Sequence, residues 1–224
     1  MKYDNIVSGI FISRPNRFIA NVNIDGMVHV CHVKNTGRCR ELLVEGAAVY
    51  LQKASNPSRK TGYDLIAVQK GDLLINMDSS APNKTAAEYL RSIFGDPALI
   101  KPEKTYGNSR IDFYVEDGDE KWLIEVKGVT LEEQGRALFP DAPTERGIKH
   151  INELIKAASD GFKACILFII QMKGITSFSP NDATHPAFGA ALRNAAAQGV
   201  LIKAIDCTVT PDTMIPDKEV KIEL

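Results

Sequence analysis

The pattern of apolar residues changes character near residue 80, and this change limits the folds that the chain can adopt. Residues 5 to 78 consist of short apolar runs separated by turn residues, with no convincing helix. Short strands at close, even spacing are typical of a small closed or partly closed β-barrel. We therefore divide the chain into residues 1–80 and residues 81–224. The strands predicted in the first part are residues 6–13, 18–24, 27–33, 47–53, 65–68 and 73–77.

The second part of the chain predicts a mixed sheet flanked by helices. Residues 84–94 have apolar side chains at helical spacing, and another helix should begin at Thr144 or just after it. Residues 164–170 form a nearly continuous apolar run, as in a strand that is buried on both faces. A helix over residues 185–198 and a strand over 200–205 then predict a βαβ crossover. The expected fold class is α/β with an all-β N-terminal part.

Two alternating runs in the second part predict a β-hairpin. Polar and apolar residues alternate over residues 110–116 and again over residues 122–126. The intervening Gly118–Asp119 suits the two-residue primed turns that hairpins favour. This turn would place Asp112 directly opposite Glu125, with the two Cβ atoms roughly 5 Å apart.

The predicted hairpin brings charged side chains together on one face, since Arg110 and Lys127 would lie beside Asp112 and Glu125. Two carboxylates so placed repel each other, and a divalent metal between them would relieve the repulsion. Magnesium is typically held by one or two carboxylates together with substrate phosphate, and Lys127 could orient or deprotonate a nucleophile. The spacing thus predicts a metal-dependent phosphodiesterase site. A solvated hairpin face with balanced charges is the alternative that spacing alone leaves open.

The charge distribution points to the first part of the chain as a nucleic-acid-binding surface. The whole chain has a net charge of −1, but its first 80 residues carry ten basic and seven acidic side chains. Two basic loops, residues 33–40 and 55–61, either grip a phosphate backbone or are merely solvated connections. Cations also gather near the start of the helix after Thr144, where a helix N-terminus suits phosphate. The predicted nucleic-acid contacts are Lys34, Asn35, Arg38, Arg40, Arg59, Lys60, Arg146, Lys149 and His150.

The cysteines indicate a reducing compartment. The chain has four, at positions 31, 39, 165 and 207, without the close pairs of a metal site. There is also no charged-then-apolar leader and no apolar run of some 18 residues. We expect a cytoplasmic protein with no membrane partner. The oligomeric state is left open, a dimer included.

Six segments together form a more specific pattern than the hairpin alone. They are residues 32–38, 82–83, 109–113, 124–131, 139–150 and 167–171. In these segments the chain resembles the sugar fermentation stimulation protein A family almost from end to end. The resemblance implies an OB-fold-like barrel followed by a restriction-endonuclease-like domain of the PD-(D/E)xK type. Members of this family are described as binding DNA without sequence preference, as affecting sugar use, and as DNA/RNA nucleases.

The resemblance also implies roles for individual residues. Asp112 and Glu125 would bind Mg²⁺ or Mn²⁺, and Lys127 would be the catalytic lysine. Glu88 would match an acid that many such nucleases carry on the first helix. Gln171, after a core strand, would point into the site.

The sequence therefore predicts a DNA-binding protein with a Mg²⁺- or Mn²⁺-dependent nuclease site acting on DNA or RNA. The alternative is a regulator of sugar metabolism, maltose use above all, that binds DNA without cutting it. The presence of both acids and the lysine favours the enzyme.

Overall fold

The structure is a computed structural model that describes residues 1–35, 37–56 and 58–224. Thr36 and Pro57 each fall within one of the two basic loops of the first part and lie outside the described residues. The strands of the first part are β1 (Ile6–Asn16), β2 (Ile19–Ile24), β3 (Met27–Val33), β4 (Ala48–Lys53), β5 (Tyr63–Lys70) and β6 (Leu73–Asn76).

The first five strands close into a barrel. Their order is β3-β2-β1-β4-β5, and a parallel pairing of β3 with β5 at His32↔Asp64 and Val33↔Leu65 joins the two edges. Strand β6 pairs with β5 outside this closed ring. The OB-fold-like barrel expected from the sequence is therefore confirmed.

Alternation of side chains explains why the barrel strands form where they do. In β2, Ala20, Val22 and Ile24 are buried while the residues between them are only partly buried, as the two-residue period of a strand requires. The turn to β3 is Asp25–Gly26, and both residues have positive φ, 51° and 83°. That is the primed turn in which Asp-Gly is favoured.

The second part contains three helices and ten strands among its described residues. They are α1 (Ala81–Phe94), β7 (Leu99–Tyr106), β8 (Ser109–Asp117), β9 (Glu120–Val129), β10 (Leu131–Glu133), β11 (Arg136–Phe139), α2 (Glu145–Ser159), β12 (Lys163–Ile170), β13 (Ser177–Pro180), α3 (Pro186–Ala197), β14 (Leu201–Val209), β15 (Met214–Glu219) and β16 (Lys221–Ile222). Six strands form the main sheet in the order β15-β14-β12-β9-β8-β7. A small sheet has the order β10-β11-β13-β16.

The main sheet is covered on both faces. Strand β12 pairs in parallel with β9 and β14, so the predicted crossover through α3 is present. On one face Leu90 of α1 lies in a cluster with Leu167. On the other face Leu154 of α2 and Leu192 of α3 lie in a cluster with Phe168. Seven of the eight residues of β12 are buried, which agrees with its nearly unbroken apolar sequence.

Barrel and sheet share one core. The apolar cluster that fills the barrel continues into the face of the sheet covered by α2 and α3. At the junction Asn76, the last residue of β6, donates its N–H to the carbonyl of Gln171, just past β12, at 2.9 Å. No described helix is long and apolar enough to span a bilayer.

Candidate active site

The β8–β9 hairpin has the predicted register. Its ladder runs from the turn to Phe113, which pairs with Ile124. Gly118 in the turn has a φ of +58°, which glycine adopts without strain. The ladder ends at the Phe113–Ile124 pair, so Asp112 and Glu125, the next positions along the two strands, are not themselves paired.

Asp112 lies where the ladders on both sides of β8 are interrupted. On the far side, Glu103 of β7 is left out of the pairing and has a φ of +58°. The Asp112 carboxylate instead accepts two hydrogen bonds, one at Oδ2 from the N–H of Val126 and one at Oδ1 from Asn83 Nδ2, both 2.9 Å. Asn83 belongs to the first turn of α1. The carboxylate is thus fixed between β9 and the start of α1.

The two acids influence each other electrostatically. Burial raises the pKa of Asp112, and the negative charge of Glu125 raises it further. Its two hydrogen bonds and the positive charge of Lys127 lower the pKa only in part. The repulsion expected from the sequence is therefore present at this position.

Only one of the two carboxylate oxygens of Glu125 accepts hydrogen bonds from described residues. Its Oε1 accepts a hydrogen bond from Lys127 Nζ at 2.6 Å and another from His150 Nδ1. Burial raises the pKa of Glu125, but the His150 hydrogen bond and the Lys127 charge outweigh burial and leave the pKa lowered. Its Oε2 is buried and has no partner among the residues described. A buried carboxylate oxygen without a partner is costly unless something else binds it.

These residues fit a divalent cation held by few protein ligands. Across residues 1–35, 37–56 and 58–224, no group of three or more His, Cys, Asp or Glu side chains could hold a metal. An ion beside the hairpin would therefore rest on Asp112, on Glu125 and on carbonyl, water or substrate oxygens, which is how Mg²⁺ is commonly bound. The orphaned Oε2 of Glu125 is the observation that supports this fit.

A cleft of about 370 Å³ lies between the start of α1, β9 and the barrel. Its wall includes Asn83 and Val126, the two residues that hydrogen-bond Asp112. The barrel contributes Asn35 and Gly37 to the same wall, and β12 is followed there by Gln171. We call it the central cleft. Both halves of the chain therefore enclose this cleft, and its wall holds the two residues that fix Asp112 but not the carboxylates themselves.

Comparison with protein-family models identifies the family to which this chain belongs. Residues 12–77 match the model of the SfsA N-terminal OB domain, and residues 80–213 match that of the Sugar fermentation stimulation protein RE domain. The chain belongs to the sugar fermentation stimulation protein family. The resemblance inferred from the six segments is therefore confirmed.

Relatives in this family match over the full chain. A Sugar fermentation stimulation protein homolog of Ruminiclostridium cellulolyticum is 55% identical, with 100% of both chains covered. Another, from Desulfitobacterium hafniense strain Y51, is 58% identical and covers 100% of this chain and 99% of the relative. Among solved structures, Pyrococcus furiosus SfsA in complex with Ca²⁺ matches with a TM-score of 0.87 at 29% identity, covering 100% of this chain and 98% of that one.

The structure corrects the place of Glu88. Its carboxylate accepts a hydrogen bond from the Met1 ammonium at 2.8 Å, and that ammonium also donates to the carbonyl of Met214. Asn83 lies five residues earlier on α1, which is about 140° around the helix. Glu88 therefore does not join Asp112 and Glu125, and Asn83 is the residue through which α1 reaches the acids.

Gln171 lines the central cleft, but its amide nitrogen is directed to the barrel. Nε2 donates to the Asn76 carbonyl at 3.0 Å, to Asn76 Oδ1 at 3.2 Å and to the Asp78 carbonyl at 3.3 Å. Its Oε1 lies against Gly128, where an added Cβ would come within 2.6 Å. Gln171 therefore joins the two halves of the chain at the edge of the cleft.

Two of the predicted nucleic-acid contacts are engaged in ion pairs. Lys34 Nζ donates to Asp78 Oδ2 at 2.5 Å, and Asp78 is fully buried. Arg59 binds Asp64 with both terminal nitrogens, at 2.8 and 2.6 Å. We therefore assign both cations to stabilising the fold, Arg59 within the barrel and Lys34 between the barrel and the start of α1, which differs from the expectation that they face phosphate. Lys60 is exposed and makes no ion pair with any described residue.

Arg38 and Arg40 line a second cleft, of about 430 Å³, together with Arg14 and Arg17. We call it the arginine cleft. Arg14 donates to the carbonyls of Arg38, Arg17 and Asn35 at 2.6 to 2.8 Å, so it ties the β1–β2 turn to the loop after β3. Arg17, Arg38 and Arg40 are exposed, and none pairs with an acid in the described part of the chain.

The three residues predicted on α2 have different surroundings. Lys149 is exposed and donates to the Asn108 carbonyl at 2.8 Å. Arg146 is exposed, and its Nε donates to His150 Nε2 at 3.4 Å. His150 is 6% exposed and contacts Glu125. The expectation that His150 touches phosphate is therefore wrong, because both of its ring nitrogens are engaged inside the protein.

Sequence reasoning gave no functional role to Asn83, Arg14 or Arg17. Asn83 was part of the family segment 82–83, but nothing local ties it to Asp112, 29 residues away. Arg14 and Arg17 flank the Pro15–Asn16 turn, and their basic character was the available signal.

Proposed function

We propose that the chain is a metal-dependent nuclease that hydrolyses phosphodiester bonds in DNA or RNA without sequence preference. The observation that carries the proposal is the carboxylate pair of Asp112 and Glu125, with one buried oxygen unpartnered and Lys127 beside it. The Ca²⁺ in Pyrococcus furiosus SfsA supports a divalent-cation site in this chain as well. Mg²⁺ or Mn²⁺ is the proposed physiological ion.

Different residues of the chain would have different roles at the scissile phosphate. Asp112 and Glu125 would hold the ion, which when bound would polarise a water and neutralise charge on the phosphate. Asn83 and the N–H of Val126 keep the Asp112 carboxylate in place. Lys127 lies two residues from Glu125 on the same strand face and would orient the attacking oxygen or stabilise the charged phosphate.

The arginine cleft offers a path for the rest of the polynucleotide. Gly37 lines both this cleft and the central cleft, so the two adjoin at that residue. A strand that passes the acids would reach three unpaired guanidinium groups, which bind phosphate oxygens in bidentate geometry. Such contacts carry no base information, which is the reason for proposing little sequence preference.

We expect the variant R17A/R38A/R40A to bind DNA more weakly and with a smaller salt dependence. If all three arginines contact phosphates, the slope of log affinity against log salt should become shallower by about three units. The measurement is fluorescence anisotropy over a salt series, with Ca²⁺ present. The matched control is K121A/K156A/K163A, which removes equal charge at the other end of the sheet. An equal loss of slope in both variants would remove the arginine cleft from the interface.

The direct test of the function uses single- and double-stranded DNA and RNA of mixed sequence, incubated with Mg²⁺ or Mn²⁺. We expect cleavage that requires the metal and is abolished by EDTA. DNA binding without metal-dependent cleavage of any substrate would contradict the nuclease and support the non-cleaving regulator.

A further inference from the structure

We propose that His150 is a positioning residue that sets which oxygen of Glu125 is available to a cation, and that Arg146 fixes the orientation of the His150 ring. The inference rests on the proposed function, since it concerns the same metal site. It starts from a continuous chain of contacts, from Arg146 Nε to His150 Nε2 and from His150 Nδ1 to Glu125 Oε1. All three side chains are described, and two of them are buried.

The contacts give each ring nitrogen of His150 a different role. Arg146 Nε can only donate, so Nε2 of His150 is the acceptor in that contact. Nδ1 therefore carries the hydrogen and donates it to Glu125. With both ring nitrogens in contact with protein groups, the ring has no donor left for a substrate phosphate. A donor at Nδ1 is what Glu125 requires.

The consequence for Glu125 is that only one of its oxygens remains open. Oε1 already accepts from His150 and from Lys127, whereas Oε2 is buried without a partner. Two donors on the same oxygen fix the orientation of the carboxylate. Glu125 should therefore offer a single oxygen, and loss of the His150 donor should let the carboxylate rotate away from the ion.

The fold holds the first turns of α2 firmly enough for this role. Thr144 caps the helix by accepting from the N–H of Gly147 at 3.0 Å, and its own N–H donates to His185 Nδ1 at 3.2 Å. A Cβ at Gly147 would lie 3.1 Å from Phe188 of α3, so the two helices are in close contact there. Positions 146 and 150 are one turn apart and face the same way.

The experiment compares H150N with H150Q by calorimetric titration with Mn²⁺ and Ca²⁺. An asparagine amide can occupy the place of Nδ1 and donate to Glu125, whereas a glutamine amide reaches the place of Nε2. We expect H150Q to weaken ion affinity by about 10- to 100-fold, the usual effect of removing a group that orients a metal ligand. H150N should restore most of that loss. Two amides of similar polarity thus separate a positioning role from simple packing.

Two further variants test the role of Arg146 and control for changes elsewhere on α2. Arg146 is exposed, so R146L should fold, and it should weaken ion affinity less than H150Q because the Glu125 contact survives. K156A, on the exposed far turn of α2, is the matched control and should bind like wild type. Unchanged affinity in both H150Q and R146L would overturn the inference, as would equal affinities of H150N and H150Q.

The outcomes also distinguish this inference from the proposed function. If wild type binds ions and D112N does not, while H150Q binds like wild type, then the metal site stands and the role of His150 is wrong. If wild type itself binds neither ion, both proposals fail.

Discussion

Replacing Asp112 by asparagine is expected to lower metal-dependent cleavage by about 1000-fold, because a carboxylate that helps to hold the ion supplies several kcal/mol of charge stabilisation. Asparagine keeps the size of the side chain and can still contact Asn83. The fold should therefore survive, and DNA binding without metal should persist. The measurement is single-turnover cleavage of a labelled oligonucleotide in Mg²⁺, with thermal unfolding as a check of the fold.

The matched control for Asp112 is D119N, which removes an exposed acid at the tip of the same hairpin. This variant should cleave at the wild-type rate, and K127A should lose most activity. Equal cleavage by wild type, D112N and K127A would mean that a contaminant or another site is responsible.

Replacing Lys34 by methionine is expected to destabilise the protein by about 3 kcal/mol, because it leaves a buried charge without its partner. Asp78 is 0% exposed, and Lys34 is its cationic contact, at 2.5 Å. The other oxygen of Asp78 accepts from the N–H and hydroxyl of Ser80, just before α1. The pair therefore joins the barrel to the start of that helix. Urea unfolding at neutral pH measures the change in the free energy of unfolding.

Two comparisons complete the Lys34 experiment. K60M removes an exposed basic residue of the barrel and should change stability by less than about 0.5 kcal/mol. The double variant K34M/D78N removes both charges and should recover part of the loss, because no uncompensated ion remains. If K34M were as stable as K60M, the assignment of Lys34 to structure would be wrong.

The sequence was informative where structure is determined locally. The β8–β9 register follows from alternation and from one glycine turn, and β12 follows from its apolar run. The edge strand β7 was missed because most of its residues are exposed and polar, so no apolar period marks it. The strands of the small sheet were missed because they are two to four residues long.

The site was less predictable because its contacts join residues that are distant in sequence. His150 meets Glu125 across 25 positions, and Lys34 meets Asp78 across 44. His150 and Lys34 are residue types that bind phosphate as readily as they bind a carboxylate. Residue type alone therefore did not show whether they contact nucleic acid or an acid inside the protein. Glu88 was assigned from family likeness, and its direction depends on the rotation of α1, which is set by how the helix packs on the sheet.

The shared core of barrel and sheet has a consequence for the proposed nuclease activity. Because buried apolar side chains run without a break from the barrel into the sheet, turning one half against the other would separate packed residues, which favours one spacing between Arg38 and Asp112. If the chain is the proposed nuclease, a strand held at the guanidinium groups would be cut at a fixed number of nucleotides from the phosphates that those groups bind.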